Sequence, residues 1–345
     1  MRVSYWDNWK GIAIIAVIAI HASNGTATFQ EGSFNWLFGL TLRQFIDFAV
    51  PFFLAMSGYF SAKVSNENLT SFYKGRFIRI FIPYLIWTVI YLIVKTPTIP
   101  PSLSECFQGV FFGTGIGIGY FVIVLSQFVI LTPLFSKIQK KWHHAAIMIT
   151  ISIAGSIFVY YFSAINTDHF LSQFPAYALP FFAWYPFYHA GYFMARYKNE
   201  LKANSTIIRI AAFGLALSLT LSLFEGLFWA YNQNYSFGVS QLKATSLAAS
   251  LFLFILAVSL SEKKTLLDRY SPITWLGENS YVIYLSHMLF LTIIQKILRR
   301  SDSIYSLQPL TILFSVALSL ILCAALIKIC NKTLPRHVSK HLLGN

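Results

Sequence analysis

Long apolar runs constrain this chain more than any other feature of its sequence. A helix needs about 20 mostly apolar residues to cross the hydrocarbon core of a bilayer. Ten runs approach or reach that length, at residues 9–23, 42–62, 78–95, 116–136, 145–164, 179–195, 207–228, 245–261, 280–298 and 309–330. The connections between them are short, so the sequence predicts an all-α, polytopic membrane helix bundle of about ten spans, forming a single domain over residues 1–345.

Composition excludes the main alternatives to a membrane protein. Hydrophobic residues make up 56% of the chain and charged residues only 11%, whereas an average soluble domain is about 25% charged. So few charges cannot cover a soluble globule of 345 residues. The net charge of +14 lies mostly in loops between apolar runs, which indicates membrane topology and gives no reason to expect a nucleic-acid partner.

The distribution of basic residues predicts the orientation. With the N-terminus in the cytoplasm, 20 of the 26 Lys and Arg residues fall in cytoplasmic segments, as the positive-inside rule requires. The other six fall outside: Arg43, Lys95, Lys243, Lys296, Arg299 and Arg300. We therefore expect both termini to be cytoplasmic. The loop around residues 296–308 is the one discordant place.

Lys10 and His21 form the most informative polar pair. Eleven residues of helix advance about 16 Å and complete close to three turns, so both side chains are expected on one side of the first span. Lys10 would lie at the cytoplasmic end, where it can meet an anionic ligand. His21 would lie deeper and can exchange a proton near neutral pH. The alternative is that Lys10 marks topology and His21 caps the outer end of the helix.

Two further pairs of charged residues lie near the ends of spans. Arg43 and Asp47, four residues apart, can pair on one helix face, either as a structural ion pair or as part of the mouth where an outer substrate meets His21. Arg76 and Arg79, three residues apart, are expected to share a face at the cytoplasmic surface. Their planar guanidinium groups suit phosphate oxygens, although contact with anionic lipid explains them equally well.

Three ionisable residues remain within apolar runs, namely His189, Glu225 and His287. Ionisable groups at membrane depth are costly, which makes each a candidate functional residue. The alternative is a packed, hydrogen-bonded side chain. The three cysteines have no zinc-site spacing, so no metal site is expected.

Four segments, in this order, resemble the acyltransferase-3 family of integral membrane O-acyltransferases. They are DNWKGIA at residues 7–13 running on to His21, VPFFLAMSGYF at 50–60, KGRFIRIFIPY at 74–84, and SYVIYLSH at 280–287. The first resembles the family pattern of a basic residue, ten intervening residues and a histidine, with Lys10 where arginine is commoner. The chain resembles a stand-alone form, similar to bacterial enzymes that modify O-antigens and other polysaccharides.

This resemblance implies an activity and roles for the candidate residues. An acyl group, most often acetyl, would move from cytoplasmic acyl-CoA to a hydroxyl of a cell-surface or lipid-linked glycan, at a bacterial inner membrane. His21 would be the general base or would transiently carry the acyl group. Lys10, Arg76 and Arg79 would hold the donor, and the residues on the acceptor side or in support would be Arg43, Asp47, Glu225 and His287. The expected partners are acyl-CoA, the glycan and membrane lipids, with acetyl-CoA as co-substrate and no bound cofactor.

A second function stays open from the sequence. Ten spans with buried histidines and an Arg–Asp pair also suit a proton-coupled transporter that exports a glycan precursor or a small metabolite. The chain has no repeated halves and no matched pair of interrupted helices. Donor dependence separates the two functions, because an acyltransferase leaves an acyl mark on a glycan and a carrier does not.

Overall fold

The computed structural model describes residues 4–62, 69–95, 101–201, 204–261, 267 and 269–344, and these residues contain helices and no strand. The first helices are α1 (Ser4–Ala22), α2 (Phe34–Ile46), α3 (Ala49–Ser61), α4 (Leu69–Arg76), α5 (Ile82–Lys95) and α6 (Leu103–Phe111). Next come α7 (Tyr120–Ser136), α8 (Lys141–Tyr160), α9 (Tyr185–Arg196), α10 (Lys198–Leu201), α11 (Ser205–Tyr231) and α12 (Tyr235–Gly238). The last are α13 (Ala244–Leu260), α14 (Pro272–Glu278), α15 (Ser280–Leu298), α16 (Asp302–Tyr305), α17 (Gln308–Thr333) and α18 (Arg336–Leu343).

Each of the ten predicted runs contains helix, which confirms the all-helical membrane fold. Within the described ranges, seven segments are long and apolar enough to cross a membrane: Ser4–Thr28, Phe34–Ser61, Leu69–Lys95, Lys141–Ile165, Ser205–Tyr231, Ser280–Leu298 and Gln308–Thr333. Two shorter apolar helices, α7 and α13, account for two further runs. The orientation of the termini stays a prediction.

Three differences from the predicted bounds occur at proline or glycine. The run at 179–195 contains a helix of only 12 residues, α9, with Pro186 in its first turn, where a missing N–H is tolerated. The run at 42–62 is divided between α2 and α3. Pro51 interrupts it because proline has no backbone N–H to donate to the carbonyl of Asp47. Gly117 has φ +81°, so α7 begins at Tyr120 and not at residue 116.

The chain divides into two compact units whose segments alternate along the sequence. Unit 1 comprises Met1–Gly39, Tyr73–Ile123 and Leu267–Asn345, and unit 2 comprises Leu40–Phe72 and Val124–Leu266. Each is described by itself below. The assignment of residues 1–345 to a single domain stays a prediction.

In unit 1, α1 packs against α14 at glycine contacts that permit very close approach. A Cβ on Gly11 would lie 2.1 Å from the carbonyl oxygen of Ile273, and one on Gly277 would lie 1.7 Å from that of Asp7. The Asn8 amide donates to the carbonyls of Leu267 at 2.6 Å and Arg269 at 3.0 Å. These contacts fix the end of α1 that carries Lys10.

In unit 2, α3 packs against α9 in the same manner, and α11 packs against α13. A Cβ on Gly191 would lie 1.9 Å from the carbonyl oxygen of Ala55. The opposite face of α11 leaves large apolar side chains exposed, with Phe213 72% and Phe224 65% exposed. Such a face suits contact with lipid and not with water.

Candidate functional site

His21 and His287 lie beside each other in unit 1. His21 is near the end of α1 and His287 is in the middle of α15. Their ring centroids are 5.5 Å apart and the rings are inclined at 41°. His21 is partly exposed, whereas His287 is fully buried. Two imidazoles are thus adjacent at a place where only one of them can reach a ligand.

The hydrogen bonds of His287 determine where its proton sits. Its Nδ1 lies 2.8 Å from the carbonyl oxygen of Tyr284 and 3.1 Å from that of Ile283. Because carbonyl oxygens only accept, Nδ1 must carry the hydrogen in this assignment. The Nε2 atom is buried and has no hydrogen-bond partner among the described residues. Neutral His287 therefore presents an unshared lone pair at Nε2.

Lys10 is held by its own helix. Its ammonium lies 2.9 Å from Oδ1 of Asp7, one turn earlier on α1. The Lys10 side chain is 24% exposed and that of Asp7 only 3%. The expectation that Lys10 and His21 lie on one helix is confirmed. The carboxylate of Asp7 holds the lysine near the partly exposed surface of α1.

Arg76 and Arg79 flank a change in helix type. Arg76 ends α4, and Phe77–Phe81 forms a π-helix before α5 begins. The π segment departs from the α-helical periodicity on which the expected shared face was based, and that shared face stays a prediction. Arg79 is exposed and its Nε donates to the carbonyl of Gly75 at 3.2 Å, while Arg76 is half-buried. Short π segments of this kind occur frequently at functional sites.

The π segment is tied to the helix that carries His287. The Tyr281 hydroxyl on α15 donates to the carbonyl of Ile80 at 2.5 Å. On α5, the Tyr91 hydroxyl donates to the carbonyl of Leu285 at 3.0 Å. The Tyr281 hydroxyl therefore joins the segments 74–84 and 280–287, and Tyr91 joins α5 to α15.

The glycine-rich run between α6 and α7 forms a folded loop. Gly113 and Gly117 have φ of +71° and +81°, conformations that favour glycine. Lys95 donates to the carbonyl of Gly115 at 3.2 Å. The Tyr284 hydroxyl donates to the carbonyl of Ile118. The loop thereby contacts α15 at Tyr284, three residues before His287 in the sequence.

A second basic group in unit 1 lies at the C-terminal helix α18. An open cavity of about 340 Å³ is lined by Asn331, Leu334, Arg336, Ser339 and Lys340. The indole nitrogen of Trp87 on α5 donates to the carbonyl of Leu342 at 3.0 Å. Helix α18 is thus packed on the helix that follows the π segment. The one signal of this group in the sequence is the positive charge of this end of the chain.

The predicted pairing of Arg43 with Asp47 is confirmed in unit 2. Nε of Arg43 lies 2.9 Å from Oδ1 of Asp47, and both side chains are nearly buried. Nη2 of Arg43 donates to the carbonyl of Val239 at 2.6 Å. The second oxygen of Asp47 is buried without a hydrogen-bond partner among the described residues.

A buried lysine completes this cluster and was missed in the sequence. Lys243 is fully buried, and its ammonium donates to Gln44 Oε1 at 2.8 Å, Ser246 Oγ at 3.1 Å and the carbonyl of Ser240 at 3.2 Å. Burial lowers the pKa of Lys243 to about 8, although the carboxylates of Asp47 and Glu225 oppose the shift. Sequence position alone indicated only an outer-loop charge.

Both carboxylate oxygens of Glu225 are occupied within unit 2. One accepts from the Tyr160 hydroxyl and the other from the Thr245 hydroxyl. The backbone N–H of Ala244 in turn donates to the Tyr160 oxygen at 2.9 Å. Glu225 therefore joins α8, α11 and α13. Its predicted contact with an acceptor stays a prediction.

His189 also has an internal partner in unit 2. Its Nε2 lies 2.8 Å from Nδ1 of His144, whose Nε2 faces the carbonyl of Ile138 at 3.1 Å. The His189 ring stacks on Phe135 with centroids 4.7 Å apart. Both histidines are buried, so this pair matches the expectation of a packed, hydrogen-bonded side chain.

The structure thus distributes the candidate residues between the two units. Unit 1 holds Lys10, His21, Arg76, Arg79 and His287, and unit 2 holds Arg43, Asp47 and Glu225. The two adjacent imidazoles and the predicted donor cations share one compact unit, and of the residues expected on the acceptor side or in support only His287 belongs to it.

Comparison with known proteins gives one family and one kind of relative. The family model described as "Acyltransferase domain" matches residues 3–328. Relatives from Staphylococcus aureus strains MSSA476 and MW2, each named "Probable poly-beta-1,6-N-acetyl-D-glucosamine export protein", are 26% identical over 264 residues. The alignment covers 72% of this chain and 71% of each relative. No solved structure matches the chain.

Proposed function

Because the chain belongs to the acyltransferase-3 family of membrane proteins, we propose that it transfers an acyl group, most often acetyl, from acyl-CoA to a hydroxyl of a glycan. The observation that carries this proposal is the pair of imidazoles in unit 1, His21 and His287, with ring centroids 5.5 Å apart. One ring is partly exposed and the other is buried with a bare nitrogen. Transfer of an acyl group from a thioester sulfur to a hydroxyl oxygen needs a base that removes the hydroxyl proton, and an imidazole can act as that base.

The chemistry follows from the exposed member of the pair. A neutral ring nitrogen of His21 takes the proton of the acceptor hydroxyl while the oxygen of that hydroxyl attacks the carbonyl carbon of the thioester. The C–S bond then breaks and the new C–O ester bond remains. The thiolate takes the proton back from His21 and leaves as the CoA thiol. His21 is thus regenerated in each turnover.

The donor is proposed to bind through its phosphates. Arg76 offers a planar donor at the end of α4 and Arg79 offers one within the π segment, and Lys10 offers an ammonium held by Asp7. Charge-assisted hydrogen bonds from arginine to phosphate are short and directional. Arg336 and Lys340 line an open cavity in the same unit and extend the basic surface that an adenosine phosphate could meet.

The acceptor is proposed to be a bacterial surface polysaccharide or a lipid-linked precursor at the inner membrane. The printed name of the relatives supports this class, since it refers to a poly-N-acetylglucosamine. Arg43, Asp47 and Glu225 are the proposed acceptor-side residues. Their internal contacts within unit 2 give them a supporting role in addition, because a rigid cluster can present the neighbouring backbone to a sugar.

A second candidate is export of the polysaccharide, which the name of the relatives favours directly. The two functions differ in donor dependence. An exporter lowers the amount of surface glycan when it is removed but leaves no acyl mark, whereas an acyltransferase changes the mass of the glycan.

The test is mass spectrometry of surface glycans from cells with the intact gene, a deletion, and His21→Ala at matched protein level. Loss of one acetyl-sized mass in both the deletion and His21→Ala is the expected result. His143→Ala, which alters a histidine outside the proposed site, is the matched control and should retain the mass. Unchanged glycan mass with reduced surface glycan in the deletion would overturn acyl transfer in favour of export.

A further inference from the structure

We infer that His287 is the proton partner of His21, a buried base that orients the exposed imidazole and takes up its second proton during transfer. This inference rests on the proposed acyl transfer. It assigns to His287 a positioning role that acts through His21, in place of the acceptor-side or supporting role that the family resemblance implied.

The first step of the argument is the tautomer. Two backbone carbonyls, of Ile283 and Tyr284, lie within 3.1 Å of Nδ1 of His287, so the ring donates there and its Nε2 is left with a lone pair. That atom is buried and has no hydrogen-bond partner among the described residues. Leaving a buried polar atom unsatisfied costs about 1–3 kcal/mol. A polar atom kept at this cost in a well-packed helix calls for a functional reason.

The second step concerns the neighbours that His287 meets. From α1 it faces His21, with centroids 5.5 Å apart, and from its own helix it faces Tyr284 at 6.1 Å. Tyr91 on α5 bonds the backbone of Leu285 and Leu289 on either side, and Cys323 on α17 accepts from Ser286. None of the contacts described for His287 is a carboxylate. We therefore take His21 as the group that donates a proton to the Nε2 lone pair of His287.

The third step is charge. When His21 takes the proton of the acceptor hydroxyl, its opposite ring N–H can pass a proton through one water to Nε2 of His287, which His21 does not hydrogen-bond directly. The imidazolium so formed keeps its Nδ1–H directed at the carbonyls of Ile283 and Tyr284, whose partial negative charge stabilises it. As the C–S bond breaks, the same protons return in the reverse order and the thiolate of CoA is protonated. Protons and electron pairs balance, and no other reactant is required.

The experiment uses purified full-length protein in liposomes with acetyl-CoA and the acceptor glycan. His287→Asn places an amide N–H near the Nδ1 position but has no Nε2, and we expect kcat to fall about 10²- to 10⁴-fold. His287→Gln places an amide near the Nε2 position that can accept a hydrogen bond but cannot take up a proton, so a smaller loss is expected. Ser286→Ala, on the same helix, is the control and should keep activity.

The pH profile separates a proton partner from a structural role. If both imidazoles must be neutral, a plot of log(kcat/KM) against pH rises with a slope of about two on its acid limb. His287→Gln reduces that slope to about one. Full activity in His287→Asn, or an unchanged slope in an active His287→Gln protein, would overturn the inference. Absence of acetyl-CoA turnover in the unaltered protein would instead refute the proposed function, and the role of His287 would fall with it.

Discussion

Lys243 provides the sharpest prediction about stability, because it is a buried cation that, together with Arg43, balances the carboxylates of Asp47 and Glu225. Its ammonium makes three hydrogen bonds, to Gln44, Ser240 and Ser246. The charged groups around it are Asp47, Glu225 and Arg43. Lys243→Met keeps an unbranched side chain that is shorter by one atom, and it removes the titrating group.

The size of the effect follows from the pKa. Burial lowers the pKa of Lys243 to about 8 in the folded protein, against about 10.4 in an unfolded chain. Between these two pH values the unfolded state binds more protons, so stability rises with pH. The cost of burying the charge is fully present below about pH 8 and is lost as pH rises towards 10.4. It amounts to about 3 kcal/mol.

The assay is the free energy of unfolding in mixed detergent micelles from pH 7 to 10.5. Relative to Lys243→Met, the unaltered protein should gain about 3 kcal/mol across this range. Lys141→Met, at an exposed lysine paired with Glu200, should follow the unaltered protein. Parallel curves for the unaltered protein and Lys243→Met would refute the assignment of a buried, depressed lysine.

Three further outcomes follow from the packing of unit 1. Gly11→Ala would place a Cβ 2.1 Å from a backbone oxygen of α14. The Tm of this variant in detergent should therefore fall by an amount equivalent to about 1–3 kcal/mol. In the control Gly75→Ala the nearest atom to the new Cβ is 3.5 Å away, and Tm should stay unchanged. Tyr281→Phe removes the hydrogen bond to the π segment and should raise KM for acyl-CoA about 3- to 10-fold, equivalent to about 1 kcal/mol, with kcat preserved; a fall in kcat alone would contradict this. If its cavity holds phosphate, Arg336→Ala should raise KM for acetyl-CoA most at low ionic strength and progressively less as added salt screens the charge; an unchanged KM at low salt would show that this cavity takes no part.

The sequence predicted the features that depend on neighbouring residues. Apolar length identified every long helix, because crossing a bilayer is a requirement on a continuous stretch of chain. The pairing of Arg43 with Asp47 was predicted because a spacing of four residues brings side chains together within one helix. The errors in helix bounds occurred at Pro51, Pro186 and Gly117, where backbone chemistry overrides hydropathy.

The features that depend on tertiary contact could not be predicted in this way. His21 and His287 were each identified as candidates, but their proximity arises from packing of α1 on α15, which no local spacing encodes. Lys243 was counted as a loop charge because burial is a property of the folded cluster. The π turn between Arg76 and Arg79 was missed since periodicity assumes 3.6 residues per turn.

That π turn also sets the phase of everything that follows it in the same span. Each residue added to or removed from a helix rotates the part beyond it by about 100°. Deleting one residue within Phe77–Phe81 would restore a continuous α-helix and turn Trp87 and Tyr91 away from the carbonyls of Leu342 and Leu285 that they bond. The number of residues between the two arginines and the aromatic residues Trp87 and Tyr91 therefore matters to the site as much as the identity of those residues. The chain should tolerate length changes in its loops far better than within Phe77–Phe81.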